Sequence, residues 1–372
     1  MTTTKALPAA LSLIGLSGLA LAQPVTALTS FGESIAHDIN ESGQVVGVSS
    51  NAFMQSAVLW DSMGNASTLG NTNGYDSSYG YALNDAGQVV GYSENTATGV
   101  RTATLWDNGR ITDIGLDLRA TGPSVARDIN NNGAVVGAAT IGTPFGNGFF
   151  WDSAGGQIAG TLGQGGSNLG INEQNIMVGH SFFFGDPDTA SIAMPDDRGG
   201  FIAQDLGPSG FNFSIATSIN ENGMSVGHTN FGTDGAWQAA IFTNDLNAPP
   251  AFPTLLGTLE GLNTSEANDV NDSGMIVGYS WDGTHSGLDS RAWAWSNGVM
   301  YDLNELLEAG SDFSLLIEAT GVNNNGDIVG YGLLHDGSTS AFVIEGFVPS
   351  PGSMSFLALG GLVATRRRRA SH

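Results

Sequence analysis

The sequence predicts an all-β fold, a seven-bladed β-propeller built from repeats of about 45 residues, each a four-stranded sheet. Three observations predict it. One residue pattern recurs seven times at fixed internal offsets. Each copy reads as a set of short strands. The last copy lacks its fourth strand, while a matching segment stands alone before the first copy. Composition is consistent with this. The 372 residues include 54 Gly, and charged residues are only 12%, against about 25% in an average domain. A helical bundle or coiled coil is thereby excluded, and the 41% hydrophobic content argues against disorder. With no Cys, disulfide frameworks, thiol nucleophiles and Cys-bearing zinc sites are excluded as well.

The repeat is first seen as Asp38-Ile-Asn40-Glu-Ser-Gly43-Gln-Val-Val46-Gly47-Val-Ser49. It returns at Asn84, Asn130, Asn172, Asn220, Asn271 and Asn323, in steps of 44, 46, 42, 48, 51 and 52 residues. Val follows every anchor Asn by six residues (Val46, Val90, Val136, Val178, Val226, Val277, Val329). Gly follows every anchor by seven (Gly47, Gly91, Gly137, Gly179, Gly227, Gly278, Gly330). A first strand, such as Val125–Ile129, precedes each anchor. Asn-x-x-Gly then makes a tight hairpin: the Asn side chain accepts backbone hydrogen bonds and Gly takes the positive φ that closes the turn. The fourth copy has Asn175 where the others have Gly, and Asn is the residue that best tolerates that conformation.

The second strand is β-branched, and its constant Gly implies a close backbone approach. The third carries Ala57-Val-Leu-Trp60, Ala103-Thr-Leu-Trp106, Phe149-Phe-Trp151, Ala240-Ile-Phe242 or Ala292-Trp-Ala-Trp295. The fourth is expected to carry Leu-Gly or Ile-Gly, as in Ile111-Thr-Asp-Ile114-Gly115 and Phe201-Ile-Ala-Gln-Asp-Leu206-Gly207. In the seventh copy the third strand, Ser340–Glu345, has no successor, and Pro24-Val-Thr-Ala-Leu28 resembles the missing one. Pairing the two closes the ring and removes both sheet edges. A β-solenoid is the competing repeat architecture; it would need polar capping repeats.

Both ends read as addresses. Residues 1–22 have the layout of a secretory signal peptide, with Lys5, an apolar run and Ala20-Leu21-Ala22 before Gln23, so signal peptidase would cut between Ala22 and Gln23. The repeats then occupy residues 23–347. Residues 348–372 combine Pro349-Ser350-Pro351, an apolar stretch and the run Arg366, Arg367, Arg368, Arg369. The stretch is too short for a stable span of about 20 residues, and suits transient insertion with the arginines on the cytoplasmic side. Without these ends the body keeps six basic residues against 35 acidic ones. Such a surface repels phosphate backbones, so nucleic acid is not expected as a partner.

Two resemblances follow from these motifs. The C-terminal segment resembles the PEP-CTERM sorting signal of Gram-negative bacteria, with Ser350 in place of the usual Glu. That resemblance implies processing by an exosortase and a setting of exopolysaccharide export. The repeat over about residues 35–345 resembles the bacterial extracellular HAF repeat, although only Ser340-Ala341-Phe342 approaches its His-Ala-Phe step. This implies an exported protein at the cell surface, outer membrane or extracellular matrix, and brings no established chemistry with it.

No nucleophile elbow, His-Glu-x-x-His helix or P-loop is present, so no catalytic residue and no cofactor is expected. His180 and His228 share one repeat position, filled by Val48, Tyr92, Ala138, Tyr279 and Tyr331 elsewhere; this suggests a channel or groove wall as well as an ordinary solvent-facing position. Asp128-x-Asn130-x-Asn132-Gly133 matches the first half of a calcium loop, but Ala139 stands where the distal Glu would be, and a hairpin needs the same residues without metal. Trp60, Trp106, Trp151, Trp295, Tyr92, Tyr279 and Tyr331 are candidates for stacking on sugars or for core packing. The function expected is a non-enzymatic binding or structural module, associated with polysaccharide or a matrix protein. The alternative is a propeller hydrolase or lyase acting on extracellular polysaccharide, which requires paired carboxylates at a pocket.

Overall fold

A computed structural model describes residues 24–51, 54–142, 146–158, 165–182, 188–207, 213–230, 236–242, 244, 252–283 and 289–349. Seven four-stranded antiparallel sheets follow one another along the chain. Blade 1 consists of Glu33–Ile39, Val45–Ser50, Gln55–Trp60 and Ala66–Thr68. Blades 2 to 6 open with Ser77–Leu83, Ser124–Ile129, Gly165–Ile171, Ser214–Ile219 and Thr264–Val270. Blade 7 has Phe313–Val322, Ile328–Leu334 and Thr339–Ile344, and its fourth strand is Val25–Ala27. Val25, Thr26 and Ala27 pair with Ile344, Val343 and Phe342, and the Leu28 N–H donates to the Ala341 carbonyl at 2.9 Å. The ring is closed as expected. First strands of successive blades neighbour one another, the last beside the first, so they are the innermost.

Seven apolar clusters hold the ring, and each lies at a seam between two blades. Val46, Ala57, Leu83 and Trp106 fill the seam of blades 1 and 2. Leu28, Trp60, Val329 and Ala341 fill the seam of blades 7 and 1. The core is therefore distributed between blades, because each sheet has two apolar faces and must cover both. Trp60, Trp106 and Trp151 are buried and Trp295 packs partly buried against the seam of blades 5 and 6. These four are core residues, which removes them from the sugar-stacking candidates.

The hairpins form as the anchor pattern predicts. The glycines that close them have φ from +75° to +82°, and Asn175 adopts +58°. Each anchor Oδ1 accepts the N–H four residues on, at 2.8–3.0 Å. The anchor has a second role that a single repeat does not reveal. Its Nδ2 donates to the main-chain carbonyl of the next blade's anchor, at 2.9–3.4 Å, from Asn40 to Asn84 and on to Asn323, which donates back to Asn40. Seven buried amides thus form one circuit. Asn323→Ala should orphan the Asp327 N–H and cut the link to the Asn40 carbonyl, which keeps the Gly43 N–H of its own hairpin. We expect a loss of about 1–3 kcal/mol in urea unfolding, the cost of one unsatisfied buried group, and no rescue by Asn323→Asp, which would set a carboxylate against the Asp327 carboxylate and the Asn40 carbonyl.

The constant second-strand Gly has a steric cause. Each first strand carries a register irregularity three residues before its anchor, at His37, Tyr81, Arg127, Leu169, Thr217, Asn268 and Thr320. It presses a first-strand carbonyl onto the glycine. A Cβ there would stand 1.9–2.1 Å from that oxygen in all seven blades, for example Tyr79 O above Gly91.

One expectation is corrected. The Ile-Gly of Ile111–Gly115 and the Leu-Gly of Phe201–Gly207 are not part of the fourth strands, which end at Asp113 and Asp205. Asp113 caps a helical turn, Ile114–Asp117, by accepting the Leu116 N–H, and Asp302 likewise caps the turn Leu303–Leu306. The aspartate satisfies an open N–H at the turn's start, and the turn drives Ile114 or Leu303 into a seam.

Candidate functional site

The innermost strands give the central channel two different ends. At the hairpin end, the residue after each anchor forms a second circuit. The backbone N–H of Glu41 donates to Asp85, Asp85 to Asn131, Asn131 to Glu173, Glu173 to Glu221, Glu221 to Asp272, Asp272 to Asn324 and Asn324 to Glu41. Burial, with neighbouring acids adding, holds the Glu41 and Glu221 carboxyls above their usual range. Five of the seven side chains are acidic, and each is used as a backbone acceptor.

Just inside, Asp38, Asp128 and Asp269 brace the next blade. Asp38 Oδ2 accepts the Leu83 N–H, Asp128 Oδ2 that of Ile171 and Asp269 Oδ2 that of Val322, at 2.8–3.0 Å. Burial pushes all three upward, Asp128 to about 6. Asp128 Oδ1 is taken by the Ile129 N–H. Asn130 Oδ1 accepts the N–H groups of Asn132 and Ala134, and Asn132 Nδ2 donates to Glu173. The Asp128 and Asn130 oxygens that a calcium loop would use therefore accept from backbone donors. Among the described residues, no three His or acidic side chains group as metal ligands.

The other end, where the first strands begin, gathers different chemistry. Two repeat positions pair there across the first and second strands: Tyr79 with Tyr92, Ser167 with His180, Ile215 with His228, Glu266 with Tyr279 and Glu318 with Tyr331. The Tyr279 hydroxyl donates to Glu266 Oε2 at 3.0 Å and the Tyr331 hydroxyl to Glu318 Oε2 at 2.8 Å. Asn268 Nδ2 donates to Glu318 Oε1 at 2.9 Å, joining blades 6 and 7. Burial, opposed by these hydrogen bonds, pushes Glu318 up to about 7, with Glu266 adding. His228 Nδ1 lies 3.6 Å from Glu266 Oε2, which draws blade 5 into the same cluster.

The remaining wall is aromatic and basic. Tyr79 and Tyr92 stack at 4.6 Å, Tyr81 meets His37 at 5.2 Å, and the Arg127 guanidinium lies 4.7 Å over the Tyr81 ring. Burial and the Arg127 charge hold His37 down at about 4. Burial also lowers His180 and His228, against the pull of the Asp188 and Glu266 carboxylates. His180 and His228 occupy the second-strand position that pairs with the first strands there, and His228 is buried. Tyr79, Tyr81, Arg127, Glu266 and Glu318 were not anticipated. Their signal was available as the polar or aromatic exceptions three and five residues before the anchors. Of the processing residues, Pro349 follows the last strand in irregular structure. Ala22, Gln23, Pro351 and Arg366–Arg369 lie outside the described residues.

Fold and site together define a seven-bladed β-propeller with a polar cluster at one end of its channel. By sequence, residues 161–341 match a family described as a protein of unknown function, DUF3466. No curated protein matches the chain. Among solved structures it is similar to puromycin hydrolase, with 11% identity and a TM-score of 0.52 over 87% of this chain and 55% of that one. It is also similar to XC5397, a gluconolactonase from Xanthomonas campestris (10% identity, TM-score 0.41, 86% of this chain and 89% of that one). TolB from Acinetobacter baumannii gives 10% identity and a TM-score of 0.39, covering 81% and 79%. The chain thus spans about half the length of the puromycin hydrolase it matches, and these likenesses concern the fold alone.

Proposed function

We propose that the chain is an exported surface or matrix protein, a non-enzymatic propeller that binds a hydroxyl-rich ligand, a glycan, at the strand-start end of its channel. The observation that carries this is the cluster of Tyr279, Tyr331, Glu266, Glu318 and Tyr79, which stacks on the buried Tyr92. It offers aromatic faces beside carboxylate acceptors, the pairing that suits a sugar ring and its hydroxyls. The acidic remainder of the surface keeps such a protein soluble outside the cell. The expected signal peptide and exosortase-type tail supply the route, with signal peptidase and exosortase as its partners during export.

A second reading rests on the same carboxylates. Glu318, protonated near neutral pH, donates its proton to a glycosidic oxygen while Glu266 takes a proton from the attacking water. One experiment separates the two. Purified protein is incubated with secreted polysaccharide, and both retention and new reducing ends are measured. The binding reading expects retention without new ends, weakened in Glu266→Gln. New ends that vanish in Glu318→Gln would replace it with the hydrolytic one, and neither retention nor new ends would refute both.

A further inference from the structure

Arg127 is out of keeping with its surroundings. The chain has few basic residues, and two of them, Arg101 and Arg291, are paired with Glu94 and Asp302, Arg101 also lying over the Tyr92 ring. Arg127 instead sits at the irregular position of an innermost strand, facing the channel side of blade 3. Among the described residues it has no ion pair and no hydrogen bond, and its buried Nε lacks any partner. The Tyr81 ring is its one favourable contact. An unpaired cation inside a protein is unfavourable unless something compensates it.

The neighbouring blades share the deficit only in part. His180 Nδ1 and His228 Nδ1 are buried and make no hydrogen bond, although Asp188 and Glu266 lie 3.4 and 3.6 Å away. His228 as a whole is only 8% exposed. Those carboxylates face the imidazoles of blades 4 and 5, so Arg127 in blade 3 is the group left without a counter-charge at this end of the channel. Blades 6 and 7, on the other side, present the Glu266 and Glu318 acceptors, already oriented by Tyr279 and Tyr331. The channel end is bipolar.

We infer that Arg127 is the anion-recognising group of this site, and that the ligand is a sugar bearing a carboxylate, a uronic acid or a chain ending in one. The carboxylate faces the guanidinium, whose planar donors match it. The ring hydroxyls reach Glu266 and Glu318 across the channel. A neutral sugar would leave Arg127 unpaired, and a simple anion would leave the opposite wall unused. This rests on the glycan reading of the site and adds the charge of the ligand.

The test is calorimetric titration of the full chain with glucuronate and, separately, glucose. Glucuronate should bind at least about tenfold more tightly, a difference of roughly 1.4 kcal/mol. Arg127→Gln and Arg127→Leu should abolish that preference. A second readout guards against a merely structural role: with no ligand present, Arg127→Leu should melt at or above the parent temperature, because it removes an unpaired cation. Equal binding of the two sugars, or a preference that survives in Arg127→Gln, overturns the inference and leaves the glycan reading standing. A lower melting temperature for Arg127→Leu assigns Arg127 to the scaffold and also overturns it. Binding of neither sugar overturns both.

Discussion

Deleting residues 24–30 should lower unfolding free energy by about 3–6 kcal/mol and make the protein aggregate. The segment supplies the fourth strand of blade 7, the buried Leu28 side chain and the acceptor for the Trp60 indole N–H. Removing a buried Leu alone costs about 2–5 kcal/mol, and each orphaned backbone group adds to it. The loss does not stay local. Leu28 belongs to the seam of blades 7 and 1, so the deletion opens the one cluster that joins the two ends of the ring. Thr339–Ile344 then becomes an exposed edge, ready to pair with another molecule. Urea unfolding followed by light scattering reads both effects. A variant that melts like the parent and does not aggregate would show that the closing strand is dispensable.

Gly91→Ala should be at least as damaging, with a loss of about 4 kcal/mol or more, in the range reserved for specific steric or network failures. The added methyl would sit 1.9 Å from Tyr79 O and 3.1 Å from the Gly80 Cα, both main-chain atoms with no rotamer to retreat into. Relief requires undoing the irregularity at Tyr81, which sets the inner wall of the channel. Gly146→Ala is the matched control, since its nearest neighbour would be the Ala138 Cβ at 3.9 Å. It should change stability by less than about 1 kcal/mol. Equal effects of the two substitutions would refute the steric explanation of the seven constant glycines.

The legible features were those encoded at short range or counted along the chain. Asn-x-x-Gly gave the hairpins because the Asn side chain and the positive-φ residue act within five residues, and Asn175 fitted for the same reason. The closing strand emerged from counting units. The circuit of anchor amides did not, because each Nδ2 finds its acceptor in the next blade, 42 to 52 residues away, or 283 for Asn323. The Ile114-Gly115 step was misplaced into a strand because Asp113 and Asp302 were not recognised as caps.

Part of the site was visible and part was hidden by the repeat itself. His180, His228, Tyr92, Tyr279 and Tyr331 were noticed because they vary at one otherwise regular position. Arg127, Glu266 and Glu318 lie on first strands, whose role is to line the channel and whose inward residues vary from blade to blade. Their importance comes from which blades become neighbours around the ring, and one unit does not encode that. Asp128 and Asn130 show the reverse case: a spacing that suits a cation loop is spent on backbone N–H groups.

Ring closure underlies the seams, both circuits and the channel site, and a disulfide tests it directly. The chain has no Cys, so Thr26→Cys with Val343→Cys introduces the sole pair. These positions are register partners, and antiparallel partners about 4.5–5.5 Å apart at Cα fall within the reach of a disulfide. Mild oxidation of the folded double variant should give an intramolecular link between positions 26 and 343, found by peptide mass analysis, with the monomer retained and its melting temperature raised. Free thiols after oxidation, or disulfides formed only between molecules, would contradict the closed seven-bladed ring.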